Sequence, residues 1–405
     1  MRKGAGIIMD QSKIMEMTEQ YVQHTYNRFP ISIDRGDGVR VWDSEGKEYL
    51  DFMAGIAVYA LGYHFPGYDE ALKAQIDKVL HTSNLYYHEP LALAARDVVT
   101  STGLSKVFFT NSGAEAIEGA IKSARKYAWL KDGKNDHEII AMQGSFHGRS
   151  VGALSVTGNA HYQDPFKPLM GGVVFAEYND LESVMALVND RTCAIIMETI
   201  QGEGGIYPAD PEFIRGIRKI CDEKDILLIL DEIQCGMGRS GRMWAYEEYG
   251  IKPDIVTCAK ALGCGVPVGA FVLNEKTAKN SMVPGDHGTT YGGNPFVCAA
   301  VHEVFELFNK HEIVKHVETV APYLTEKLDA LRAAHPDKIR ERRGRGLIQG
   351  LELAPEVPVG DVTKKALAKG LLIISASGNV LRFVPPLIVT EEDIDCACAI
   401  LEECI

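Results

Sequence analysis

The sequence predicts an α/β protein, with a mostly parallel seven-stranded sheet covered by helices and a smaller α+β domain after it. Three observations carry this expectation. Short, predominantly apolar runs occur at 106–109, 138–142, 173–176, 194–198, 226–230, 255–258 and 270–273, as in strands buried on both faces. Helical stretches at 114–131, 180–188 and 211–224 separate most of them, the alternation that builds parallel sheets. After Pro295 the texture changes to a different mixture of helices and strands. The expected division is residues 1–66 as an N-terminal segment joining the small domain, 67–295 as the large domain and 296–405 as the small one.

Taken in order, residues 14–25 have the spacing of a short amphipathic helix, ended by 26–30. Residues 38–43 and 47–51 read as a hairpin turning at Ser44-Glu45-Gly46. Helical periodicity covers 68–80 and 91–99 before the alternation begins. Beyond Pro295, helices are expected at 296–309, 313–334 and 361–369, and strands at 346–353, 371–375 and 380–384. A last helix spans 390–403, where Thr390 and Asp393 make a capping box. The chain shows no repeat, low-complexity segment or long linker.

With 405 residues, 46% of them hydrophobic and 24% charged, the composition is that of a globular protein with a sizeable core. A net charge of −13 argues against a nucleic-acid partner, which needs a basic face. Nine cysteines with no Cys-x-x-Cys pair point to reduced thiols, not to a disulfide framework or a zinc site. Residues 1–15 lack the apolar stretch of a signal peptide, and no run is long enough to span a membrane. A cytoplasmic location is expected.

The chemistry gathers at strand ends, where parallel sheets carry their sites. Lys260 directly follows the run 255–258, and Gly263, Gly265, Pro267 and Gly269 forbid a long helix after it. Such a lysine either loses hydration and becomes a Schiff-base nucleophile, or threads its ammonium out to water. Asp231 ends the run 226–230 and fits a helix cap, a metal ligand or the partner of a cation; no cluster of ligand spacing supports the metal. Thr110-Asn111-Ser112-Gly113-Ala114 leads from a strand into a helix, which is an anion site or a plain cap by Ser112. It is not a Walker loop, since no Gly-Lys-Ser/Thr closes it. Three more loops stand out: Ser145-Phe146-His147-Gly148-Arg149, the glycine-rich segment 198–205 with Glu203, and 287–295 with Thr289 and Thr290. Gly344–Gly350 has the wrong spacing for a dinucleotide loop, and the basic run 340–345 reads as a solvated strand entry.

Together these motifs resemble the class III pyridoxal-phosphate aminotransferases, in family order from about Tyr26 to the C-terminus, with twenty-nine residues from Asp231 to Lys260. The resemblance implies the type I fold of pyridoxal-phosphate transferases and a homodimer with shared sites. It implies that Lys260 carries the cofactor and moves a proton, and that Asp231 pairs with the pyridinium nitrogen. Gln234 would reach the phenolic oxygen and Phe146 would stack on the ring. Ser112, Gly113 and Ala114 would hold the phosphate, with Thr290 from the neighbouring subunit.

On the substrate side the resemblance implies Arg149, Arg382, Tyr26 and Thr289. Arg149 would clamp the carboxylate of an ω-amino donor and Arg382 that of glutamate, with Glu203 as the gate on Arg382. No metal is implied. Ile56 stands where ornithine-specific relatives carry tyrosine, which fits an acylated donor. The expected reaction is N-acetylornithine plus 2-oxoglutarate to N-acetylglutamate 5-semialdehyde plus glutamate, a step of arginine biosynthesis. Ornithine, succinylornithine and 4-aminobutyrate are alternative donors. Other readings are an aminomutase and a non-catalytic protein binding a phosphorylated ligand. Tyr59 and Tyr63-His64-Phe65 depart from the family pattern near the expected entrance and bear on substrate width.

Overall fold

Seven strands form the central sheet, in the spatial order Lys106–Thr110, Gly269–Leu273, Ile255–Ala259, Leu227–Asp231, Thr192–Glu198, Glu138–Met142 and Val173–Ala176. The computed structural model describes residues 9–405, so residues 1–8 of the start examined for a leader lie outside it. All neighbouring strands run parallel except Gly269–Leu273, which is antiparallel to both of its partners. The expected seven-stranded, mostly parallel sheet is present.

Alternation within the central strands explains why they read as unbroken apolar runs. Ile140, Met142, Ile195, Met197, Leu228 and Leu230 face one apolar layer. Ile139, Ala141, Ala194, Ile196, Leu227 and Ile229 face the other. Helix Gly113–Asp132 covers the second face through Ile117, Ile121 and Ala124. Helices Pro211–Lys224 and Pro295–Lys310 contribute Phe213, Ile217, Val301 and Val304 to the first layer. Each such side chain taken from water contributes about 1.5–3 kcal/mol. His302 on Pro295–Lys310 meets Asp97 on Glu89–Thr102, Nδ1 to Oδ2 at 2.6 Å, which ties those two helices together. No helix among the described residues is long and apolar enough to cross a membrane.

Several elements differ from their expected form. The first helix is Gln11–Tyr21 instead of 14–25, because the Asp10 carboxylate accepts from Lys13 N at 2.8 Å and starts it earlier. A strand at Ile33–Asp37 was not expected; three of its five residues are charged, so it shows no apolar alternation. The stretch 371–375 is two strands in two sheets. Leu371–Leu372 pairs with Glu48–Asp51, whereas Ile374–Ala376 pairs with Val380–Phe383. The N-terminal strands thereby share a sheet with the C-terminal part of the chain.

The basic run 340–345 is a correction. It forms the strand Ile339–Arg345, and Arg343 within it is buried, bonded to Glu341, Glu352 and the Gly205 carbonyl. Close approach also dictates a glycine in the main helix. A Cβ on Gly119 would lie 2.2 Å from the Phe271 ring. Gly119→Val is expected to lower stability by about 2–3 kcal/mol through overpacking, read from urea unfolding followed by circular dichroism.

Candidate active site

The strand Ile255–Ala259 ends in a single 3₁₀ turn, Lys260–Leu262, with Lys260 itself in the left-handed region at φ 48°. The chain then doubles back so tightly that a Cβ on Gly263 would sit 2.2 Å from the Val266 carbonyl oxygen. That geometry aims the Lys260 side chain into a cavity of about 410 Å³ at the C-terminal ends of the strands. Burial lowers the amine's pKa to about 8, with a further push from Arg382; Glu203, Asp231 and Glu198 oppose the shift. Of the two readings of this lysine, the geometry favours the desolvated amine.

Asp231 closes the adjacent strand and lines the same cavity. Its Oδ1 accepts from Ile233 N at 3.0 Å and from Thr257 Oγ1 at 3.2 Å. Its Oδ2 lies 2.7 Å from Nδ1 of buried His147. Burial works against a charged His147, but the hydrogen bond and the charges of Asp231 and Glu198 outweigh it and raise the imidazole's pKa. Glu198 lies opposite Asp231 on the next strand. Burial pushes its carboxyl up to about 8, and it accepts from Phe146 N and Gly202 N. Sequence reasoning assigned neither His147 nor Glu198 a role. The one available signal was their position inside motifs already singled out.

At the other end of the cavity, Ser112 caps helix Gly113–Asp132 by accepting from Glu115 N at 3.2 Å. The cap and the anion site are compatible. The hydroxyl serves the cap, while the N–H groups of Gly113 and Ala114 open the first turn of a helix of 20 residues. A Cβ on Gly113 would approach Ile233 Cδ1 to 2.8 Å. Phe146 forms a side wall, and the exposed Arg149 stacks its guanidinium 3.8 Å from the centre of the Tyr162 ring.

Arg382 on the strand Val380–Phe383 is buried and forms an ion pair with Glu203. Glu203 resists burial, yet the Arg382 charge and hydrogen bond hold its carboxyl below the usual range. Gln234 joins them, donating to Glu203 Oε1 at 3.3 Å and accepting from Arg382 Nη1 at 3.1 Å. Its amide is thus engaged with the gate in this structure.

Four expected residues do not line the cavity: Arg382 reaches it only through its ion pair with Glu203, and Tyr26, Thr289 and Thr290 lie elsewhere. Tyr26 is 72% exposed and does not line it. Thr289 and Thr290 line a separate hollow beside Asn111 and Glu115. The loop carrying them passes the edge strand Lys106–Thr110, with Gly292 against the Phe109 carbonyl, on the far side of the Ser112 turn. For Thr290 the expectation concerned a neighbouring subunit.

Val58, which lines the cavity, follows the turn Ala54–Ala57, whose four residues all have φ between 47° and 66°. Three of them are not glycine, and each left-handed residue of that kind costs about 1–2 kcal/mol. Ile56 is one of the three.

A family model described as aminotransferase class III matches residues 21–405. The chain belongs to the class III aminotransferases. Among its relatives, the acetylornithine aminotransferase of Caldanaerobacter subterraneus subsp. tengcongensis is 50% identical, over 95% of this chain and 97% of that protein. That of Methanocaldococcus jannaschii is 46% identical over 98% of each. Among solved structures, the ornithine aminotransferase of Toxoplasma gondii superposes with a TM-score of 0.94 at 30% identity, covering 98% of this chain and 95% of that one. The N-acetylornithine aminotransferase of Stenotrophomonas maltophilia gives 0.82 at 34%, covering 96% and 98%.

His147 makes the stability of this aminotransferase depend on pH. A raised folded pKa contributes stability fully below the ordinary value of 6.5 and loses it as pH rises through the folded value. The unfolding free-energy gap between the cofactor-free wild type and His147→Gln is therefore expected to narrow as pH rises above 6.5, measured by urea titration.

Proposed function

We propose that this aminotransferase uses pyridoxal phosphate to transfer the ω-amino group of N-acetylornithine to 2-oxoglutarate in arginine biosynthesis, as a cytoplasmic homodimer. The observation that carries the reading is the convergence of the Lys260 amine, the Asp231 carboxylate and a helix N-terminus on one cavity. The residues fit the cofactor: Asp231 suits a protonated ring nitrogen, Lys260 an aldehyde, and the N–H groups of Gly113 and Ala114, at the start of a 20-residue helix, a phosphate. Pyridoxal phosphate, when bound, supplies the electron sink for the carbon that loses its proton.

Lys260 holds the cofactor and then moves the proton, a task suited to an amine near pH 8. Asp231 keeps the ring nitrogen protonated, and His147 and Thr257 fix both of its oxygens. Gly113 and Ala114 donate to the phosphate, with Ser112 holding their turn and Thr290 from a second copy completing the cradle. Phe146 covers a ring face and excludes water, and Gln234 is the residue proposed for the phenolic oxygen. Exposed Leu85, Tyr86, Tyr87 and Tyr291 support a second copy packed against this one.

Arg149 binds the donor's carboxylate, while Tyr26 and Thr289, which do not line this chain's cavity, would serve the donor only across the subunit boundary. Arg382 is buried, so losing Glu203 leaves an uncompensated charge unless another carboxylate arrives. Glu203 therefore covers Arg382 during the donor half-reaction and yields it to 2-oxoglutarate in the other. Ile56 offers no hydroxyl to a free α-ammonium, which favours the acylated donor, in agreement with the names of the relatives.

Lys260→Ala is expected to lower kcat by about a thousandfold or more, with turnover coupled to glutamate formation as the assay. Arg382→Lys is expected to raise KM for 2-oxoglutarate by about 10–100-fold while the donor half-reaction persists. A panel of N-acetylornithine, ornithine, succinylornithine and 4-aminobutyrate tests the donor. A higher kcat/KM for any of the last three would replace the proposed substrate.

A further inference from the structure

The left-handed turn Ala54–Ala57 has a built support. Asp51, at the end of the strand Glu48–Asp51, is buried, and no basic group enters its hydrogen bonding. Its Oδ1 accepts from Met53 N at 2.9 Å and Ala54 N at 2.8 Å, the two N–H groups that open the turn. Its Oδ2 accepts from the hydroxyl of Tyr63 at 2.9 Å.

Tyr63 in turn is held on every side. Its backbone exchanges both hydrogen bonds with Gly38, at 2.9 Å each, and its ring fills the space where a Cβ on Gly36 would stand. The ring packs on Tyr59 with centroids 4.3 Å apart. Tyr59 reaches Gly265, where a Cβ would lie 2.9 Å from its ring, and Gly265 lines the cavity on the loop that follows Lys260.

The two tyrosines that depart from the family pattern therefore form one unit. It ties the strained turn to the Lys260 loop, with Val58 of the cavity wall between them.

We propose that Tyr63, through Asp51, is a positioning residue that holds the Ala54–Ala57 turn and Val58 in place and so sets selectivity among amino donors. Neither residue touches the reacting atoms. Without the Tyr63 hydroxyl the carboxylate loses its orienting donor, and the turn relaxes toward right-handed conformations, which L-residues prefer. A glycine at Ala54, free to take positive φ, relieves the strain at the residue the Asp51 carboxylate holds and so lessens the need for the clamp.

The inference rests on the proposed aminotransferase reaction, so the test starts from wild-type holoenzyme. Absence of N-acetylornithine turnover there would overturn that reading and not reach the clamp. Given wild-type turnover, Tyr63→Phe is expected to raise KM for N-acetylornithine about fivefold and to narrow its kcat/KM advantage over ornithine. KM for 2-oxoglutarate stays unchanged. Hydrogen exchange by mass spectrometry is expected to quicken in the peptide containing residues 53–58.

Adding Ala54→Gly to Tyr63→Phe is expected to restore both the donor KM and the donor ratio. The proposal is overturned if Tyr63→Phe leaves donor ratio and exchange unchanged. It is equally overturned if both KM values rise together, as general loosening would produce, or if the glycine fails to rescue.

Discussion

Taking charge out of water at one end of one sheet is the constraint around which this molecule is arranged. Lys260, Asp231, His147, Glu198, Glu203 and Arg382 all lie in or against the same cavity at the C-terminal ends of the strands. A buried ion costs several kcal/mol unless it is paired or changes its protonation. The structure uses both routes. Arg382 pairs with Glu203 and His147 with Asp231, while Lys260 and Glu198 move toward their neutral forms. The lowered pKa of Lys260 and the dependence of Arg382 on a paired carboxylate are consequences of the same desolvation.

Sheet register supplies the precision. Asp231 is aligned with Glu198 on one side and with Thr257 on the other, so these groups are held by strand pairing and not by mobile loops. The Phe146 loop is then joined to the gate loop through Glu198, whose two oxygens accept from Phe146 N and Gly202 N. The loops carrying Phe146 and Glu203 thus share one buried carboxyl. The guanidinium that pairs with Glu203 comes from the smaller antiparallel sheet, where Arg382 lies opposite Gly350 and Ile374. Arg382 thus reaches the cavity's edge from outside the sheet that holds Lys260 and Asp231.

The specificity side of the cavity is built on different physics. A turn of left-handed, mostly non-glycine residues stays in place because a buried carboxylate collects its first two N–H groups. Strain of this kind is stable only where the surroundings over-determine the backbone, and here the surroundings include Tyr63, Tyr59 and the Lys260 loop.

The amino-acid order alone determined the seven buried strands and most of the helices between them, because apolar runs and cap residues act over a few neighbours. It also marked Lys260, Asp231, Gly113, Phe146 and Glu203, since turns at strand ends leave a local trace, whereas Arg382, inside a strand, was reached only through the family resemblance. It did not disclose the strand Ile33–Asp37, whose charged residues hide its pairing, or the division of 371–375 between two sheets, which depends on distant partners. It gave no role to His147 and Glu198, and it treated Arg343 as solvated. Those facts were decided by tertiary structure, for a physical reason. A charged side chain reads as surface until the fold brings it a partner from tens or hundreds of residues away, as Asp231 is for His147 and Gly205 is for Arg343.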